Sequence, residues 1–187
     1  MTYMNESDSA LFKEIYRELK KHNSWDLAYG LDRNVSAGAL VTDLMLAVHG
    51  EEIVYVTATV DRENGLTSAA IVTSSTLILG EVESVAGSEP RVSVSVESLN
   101  RIRSIRPHGT LNALVHGEWR VDWPERVTLT IALEGDREVT VPYEHVGDDA
   151  AAVRELYAVL RGRLTGGPAP KVGEDGHGAV DHPGAAG

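Results

Sequence analysis

The sequence predicts an α+β domain in which about seven antiparallel strands bend into a barrel, a C-terminal helix caps the barrel and a helical extension precedes it. Three observations predict this class. Apolar residues recur with a helical period ahead of Gly50, and β-branched extended segments follow it. Asn64-Gly65 is a strong hairpin signal between two such segments. A final amphipathic stripe has a 3.6-residue period and comprises Val153, Leu156, Tyr157, Leu160 and Leu164.

Composition excludes several functional classes. Seventeen basic and 28 acidic residues give a net charge of −11, which disfavours nucleic acid and anionic lipid as partners unless a local basic patch exists. No cysteine is present, so disulfides, thiolate metal sites and a cysteine nucleophile are excluded. The N-terminal residues lack the pattern of a signal peptide, and no apolar run is long enough to span a membrane. We therefore expect a cytoplasmic protein.

Residues 1–48 are predicted to form a helical extension. The first helix starts near Ser7 or Asp8 and has an apolar stripe, and a second runs from about Ser36 to the glycine at position 50. The stripe of the first helix and the loose segment after it contain Leu11, Phe12, Ile15, Leu19 and Trp25. This apolar surface must be buried, either against the chain's own barrel or against another chain through helix-in-groove contacts.

The stretch Ala69–Val82 has three possible interpretations: one interrupted strand, a hairpin, or a phosphate-binding loop. Its centre, Thr73-Ser74-Ser75-Thr76, contains four hydroxyl side chains and no glycine. A phosphate loop needs glycines to bring backbone N–H groups close to the ligand. Because Leu66–Thr73 and Thr76–Glu83 each have strand length, we predict a hairpin.

The remaining strands follow from alternation and turn signals. Val92, Val94 and Val96 alternate cleanly, and a further short extended piece follows. The segment ALVHGEWRVDW predicts one more strand, and the last two strands meet at Glu134-Gly135-Asp136. A helix over 149–163 then ends the domain. The predicted organisation is an extension over 1–48, a β-rich domain over 49–164, and a disordered Gly/Pro-rich tail over 165–187.

Over about residues 44–164 the pattern resembles bacterial PH-like and GRAM-like domains. In LMLAVHGEEIVYV a helix is followed by Gly-Glu and then by a strand, as in those domains. The segment IVTSSTLIL matches their next hairpin, in which the second strand begins with Thr. SVSVESLNRIRSIR and the final strand pair and helix continue the match. The resemblance implies a PH-like barrel and, for some relatives, lipid binding. Here Ser74, Ser75 and Thr76 replace the family's polar-basic turn, and the first hairpin loop is net negative.

In that topology three loops share the open rim of the barrel: 61–65, 83–91 and 134–137. Six acidic residues oppose three arginines there, so an anionic membrane would be disfavoured by roughly 3 kcal/mol before screening. These loops have three possible roles: ordinary solvated turns, a binding surface for a basic protein, or a Ca²⁺ site. No loop has the regular acidic spacing of a dedicated calcium site. Arg101, Arg103 and Arg106 form a basic cluster on strands, with the first two on one face.

No motif indicates catalysis. The sequence has no nucleophile elbow, phosphate-binding Gly-Lys-Thr or dinucleotide fingerprint, and its seven histidines do not converge. We expect a non-catalytic protein-interaction or scaffold module without cofactor or metal; the alternative is a peripheral membrane or lipid-binding module. The partner is expected to be a protein, with a homo-oligomer as one alternative. The candidate partner-binding residues are Leu11, Phe12, Ile15, Leu19, Trp25, Asp61, Glu63, Glu134 and Asp136.

Overall fold

The computed structural model describes residues 6–22, 35–61, 63, 66–83, 89–109, 127–144 and 149–166. Three helices are described, namely α1 (Glu6–Lys20), α2 (Val35–Val48) and α3 (Asp149–Leu164). The strands are β1 (Ile53–Asp61), β2 (Leu66–Thr73), β3 (Thr76–Glu83), β4 (Arg91–Ser98), β5 (Ile102–Gly109), β6 (Val127–Leu133) and β7 (Glu138–Val141), and a short 3-10 turn (Leu99–Arg101) lies between β4 and β5. The α+β class and the C-terminal helix are confirmed. Trp25, the predicted strand around 113–123 and the tail from residue 167 lie outside the described residues.

The strands form two antiparallel sheets, ordered β1-β2-β3-β4 and β5-β6-β7. The described strands thus belong to two sheets rather than to one bent sheet, and the predicted PH-like barrel stays unconfirmed. The 3-10 turn interrupts the chain between β4 and β5, and Pro142, which lacks an N–H donor, follows β7 at once. Contact between β1 and the segment after β7 is made through side chains: Thr57 Oγ1 accepts the Tyr143 N–H at 3.0 Å, and Thr59 Oγ1 donates to Glu144 at 2.8 Å.

The four-stranded sheet is buried on both faces. One face packs on the three-stranded sheet and α3, where Leu77, Leu129 and Leu156 lie in the first core. The other face packs on α1 and α2 and forms a second core with Ile71 and Ile78. Burial on both faces explains the unbroken apolar run over 69–72 in β2, which lacks the alternation of a sheet with one wet face.

Gly80 allows α2 to lie close to the sheet. It belongs to β3 and faces the second core. A Cβ atom at this position would lie 2.7 Å from Leu40 Cδ1 and 3.0 Å from Leu44 Cδ2. The two leucines of α2 therefore occupy the space that any other residue would need, which sets the distance between helix and sheet.

The β2–β3 hairpin is confirmed, and its hydroxyl residues hold the turn. Thr73 Oγ1 accepts the Thr76 N–H at 2.9 Å, and the Thr73 hydroxyl donates to the Glu51 carboxylate. Ser75 Oγ donates to both Glu51 oxygens at 2.8 Å. The Ser74 carbonyl accepts from Arg163 Nη2 of α3 at 2.5 Å. These hydroxyls are thus engaged within the chain.

The Glu51 contacts predict a pH-dependent contribution to stability. Hydrogen bonding from Thr73 holds the pKa of Glu51 below its ordinary 4.5, although desolvation opposes the shift. The contribution should be complete above that ordinary pKa and should be lost as pH falls through the lower folded pKa. Because Glu51 is only half-buried and solvent screens its charge, we expect Glu51→Gln to lower the unfolding free energy by only about 1 kcal/mol at neutral pH.

Urea unfolding across a pH series checks this expectation. The difference between the native chain and Glu51→Gln should shrink as Glu51 becomes protonated at acidic pH. Glu52→Gln, at the exposed neighbouring position, is the matched control and should follow the native curve. An equal response of both variants, or a difference that persists unchanged in acid, would contradict the assignment.

Candidate functional site

One end of the four-stranded sheet is open and polar. At this end Asp61 pairs with Leu66, and Leu66 and Arg91 both pair with Glu83. On the face of the first core, β3 runs from buried Leu77 and Leu79 to exposed Glu81 and Glu83. The change from leucine to glutamate marks the point where the apolar cover of the sheet ends.

An open cavity of about 420 Å³ lies at this end. We call it the mouth; the residues that line it are Leu66, Glu81, Glu83, Arg91 and Ser93. The mouth thus contains two carboxylates, one guanidinium and one hydroxyl, with no histidine or lysine among its lining residues. Such a set can bind a cation by charge and hydrogen bonds.

The carboxylates around the mouth extend its negative charge. Asp61 ends β1, Glu63 is exposed in the turn beyond it, and exposed Glu89 precedes β4. With Glu81 and Glu83 these make five carboxylates, against the single guanidinium of Arg91. Within the described residues this end of the sheet therefore has a formal excess of four negative charges (five minus one).

Tyr143 lies close to this acidic end. Burial raises the pKa of Tyr143 to about 12, and the negative charge of Glu81 contributes to this shift. The positive charge of Arg137 opposes it. The phenol therefore stays protonated at neutral pH. Tyr143 is thus a neutral group within range of the Glu81 charge, and it adds no charge of its own to this end of the sheet.

The structure separates the predicted rim residues into two groups. Asp61 and Glu63 lie at the mouth, whereas Glu134 and Asp136 lie in the β6–β7 turn near the opposite end of β4. Arg101 Nη1 is 2.8 Å from Glu97 Oε2, and its Nε is 3.3 Å from Glu134 Oε2. Glu97 pairs with Leu77, six residues from Glu83 along β3, which is about 20 Å at the usual strand rise. The interpretation of one rim shared by three loops is therefore wrong.

Arginines balance the acidic side chains of the β6–β7 turn. Arg103 Nη1 lies 3.9 Å from Asp136, and Arg137 Nη1 lies 3.5 Å from Glu97. Arg106 pairs with Glu138 of β7. The basic cluster predicted from the sequence is thus matched by carboxylates of the same chain, which leaves little net charge here for an external ligand.

The candidate residues of α1 lie on the chain's own sheet. Ile15 and Leu19 are fully buried in the second core, and Leu11 and Phe12 are partly buried against it. The apolar stripe of α1 thus packs on the chain's own sheet, which is the first of the two alternatives. Trp25 lies outside the described residues, and a role of the stripe in binding a partner stays a prediction.

Glu81, Arg91 and Ser93 were not predicted to form a group, because they come from two strands, β3 and β4, and share no sequence motif. The signal that could have revealed them is the segment TLILGEVE, in which the residues on one face of the strand change from leucine to glutamate.

Within the described residues, none of the helices is long and apolar enough to cross a membrane. No protein-family model, curated protein or solved structure matches the chain.

Proposed function

We propose that this chain is a non-catalytic protein-interaction module on a PH-like barrel, and that its mouth binds a basic segment of a protein partner. Seven antiparallel strands and a terminal helix around the first core are compatible with the PH-like resemblance. The observation that carries the functional proposal is the acidic mouth, where Glu81 and Glu83 point into an open cavity. A cytoplasmic location stays a prediction.

The charge of the mouth favours a basic peptide over an anionic membrane. Each basic residue near an anionic bilayer contributes about 1 kcal/mol of attraction, and carboxylates reverse the sign. The same carboxylates attract lysine and arginine side chains and raise their association rate. Leu66 and Ser93 add an apolar and a hydroxyl contact for the peptide.

The test is a titration of Lys/Arg-rich peptides, selected from a displayed library, against the native chain and two charge-matched variants. The double variant Glu81→Lys, Glu83→Lys should bind the selected peptide at least about tenfold more weakly, equivalent to 1.4 kcal/mol. The control Glu14→Lys, Glu155→Lys makes the same change of net charge at exposed helical positions and should bind with nearly native affinity.

Two outcomes would contradict the proposal. Equal loss in both double variants would mean that the peptide responds to net charge alone. Salt-sensitive sedimentation of the native chain with phosphatidylserine or phosphoinositide vesicles at physiological salt, where we expect none, would favour the lipid-binding alternative.

A further inference from the structure

Strand β4 is an exposed edge of the four-stranded sheet. It is the last strand in the order β1-β2-β3-β4, and among the described residues no strand pairs with its outer side. None of its eight residues is buried, whereas β1, β2 and β3 each contain a buried run. Val96 is 51% exposed although it lies on the face of the second core. An edge of this kind is a template for a further strand.

The sequence of β4 is complementary to itself in one antiparallel register. With Val94 opposite Val94 of a second copy, Val92 faces Val96, Ser93 faces Ser95, and Arg91 faces Glu97. Directly opposed residues lie on the same face of an antiparallel pair, so apolar and polar positions both match. Every pair except the central Val94–Val94 pair then occurs twice, as two-fold symmetry requires.

Neighbouring registers lose this match. Centring the pair on Ser93 puts Arg91 opposite Ser95, and centring it on Ser95 puts Arg91 opposite Leu99. A shift of half a step opposes valine with serine at the centre of the strand and with Arg91 or Glu97 towards its ends. The register centred on Val94 is thus the one among these that pairs valine with valine and arginine with carboxylate.

We propose that two copies of this chain associate through β4, antiparallel and centred on Val94, and so join their four-stranded sheets into one. The association covers Val96 with Val92 of the second copy and satisfies the outer backbone groups of both strands. Glu97 already contacts Arg101 and Arg137 of its own chain. A carboxylate offers about four acceptor positions on two oxygens, so Glu97 can also accept Arg91 of the second copy.

The mass of the full chain in solution is the first test. Light scattering over a wide concentration range should show a species of twice 20.2 kDa. Val96→Lys should shift the dissociation constant upward at least about tenfold, because a charge on an edge strand opposes pairing. Leu46→Lys, at a 72% exposed position of α2, is the control and should dimerise as the native chain does. A monomer at every concentration, or a Val96→Lys dimer of native affinity, would overturn the proposal.

The absence of cysteine makes the register directly testable. A chain with Val94→Cys should cross-link to itself rapidly with a short thiol-specific reagent. Val96→Cys alone should not, because the two copies of position 96 are four residues apart along the strand, whereas a mixture of Val92→Cys and Val96→Cys chains should form the mixed dimer. Self-cross-linking of Leu46→Cys at the rate of Val94→Cys would overturn the assignment.

A charge swap separates pairing from folding. Arg91→Glu and Glu97→Arg should each dimerise weakly alone, because like charges then face each other, and an equimolar mixture should form the mixed dimer. A mixture that stays monomeric while both variants retain the native circular dichroism spectrum would contradict the register. Val96 lies on the face of β4 opposite to the mouth, so Val96→Lys should bind basic peptide with nearly native affinity while it dimerises weakly. Failure of the dimer is therefore distinguishable from failure of the proposed function.

Discussion

Replacing Leu19 by alanine is expected to lower the free energy of unfolding by about 2–5 kcal/mol, measured by urea denaturation. Leu19 is fully buried in the second core, between α1 and the sheet face that also contains Ile71 and Ile78. The truncation removes transfer free energy and leaves a cavity that the two-sided sheet has little freedom to fill.

Lys13→Ala is the matched control in the same helix, because Lys13 is exposed and alanine keeps the helix propensity. It should change stability by no more than about 0.5 kcal/mol. If Leu19→Ala instead left stability unchanged and lowered the molecular mass in solution, the stripe would serve association between chains rather than the chain's own core.

The apolar stripe of α1 could be predicted because its helical period is visible within one short segment of the sequence. It did not predict which surface the stripe covers, because that depends on a face of β1 and β2 whose residues are separated from α1 by dozens of positions. The run over 69–72 carried the missing signal, since four consecutive apolar residues do not suit a strand with one solvated face. Burial on both sides means that α1 and α2 supply the cover for one face of the sheet.

The hairpins were predictable for a similar reason. Asn64-Gly65 and Glu134-Gly135-Asp136 are local turn signals, and the ladders Asp61–Leu66 and Ala132–Glu138 form around them. The division into two sheets was not predictable, because it depends on the 3-10 turn in which the Ser98 hydroxyl accepts the Asn100 N–H at 3.2 Å. This local hydrogen bond competes with continued strand pairing.

Long-range polar contacts were the hardest part to predict. Glu51 and Ser75 are 24 residues apart in sequence, and only the packed sheet brings the carboxylate to the turn. The mouth likewise combines β2, β3 and β4, so its lining residues have no common sequence motif. Asp61 and Glu63 lie at the acidic end of the sheet, whereas Glu134, which the assumed rim placed beside them, contacts Arg101.

Replacing Leu156 by alanine is also expected to lower the free energy of unfolding by about 2–5 kcal/mol. Leu156 is fully buried where α3 covers the first core, together with Val153 and Leu160. Loss of α3 packing would also loosen the contact of Arg163 with the Ser74 carbonyl in the β2–β3 turn. Urea unfolding monitored by far-UV circular dichroism measures the change in unfolding free energy.

Glu155→Ala, one position earlier and exposed, is the control for Leu156→Ala and should stay within about 0.5 kcal/mol of the native chain. The two cores lie on opposite faces of one sheet and share no buried residue. Combining Leu156→Ala with Ile15→Val, which should itself lower the unfolding free energy by about 0.5–1.5 kcal/mol, should therefore give an additive loss within roughly 0.5 kcal/mol. A larger coupling would mean that the sheet transmits repacking from one core to the other, so that the helices of 6–48 influence the face of the sheet that carries the mouth.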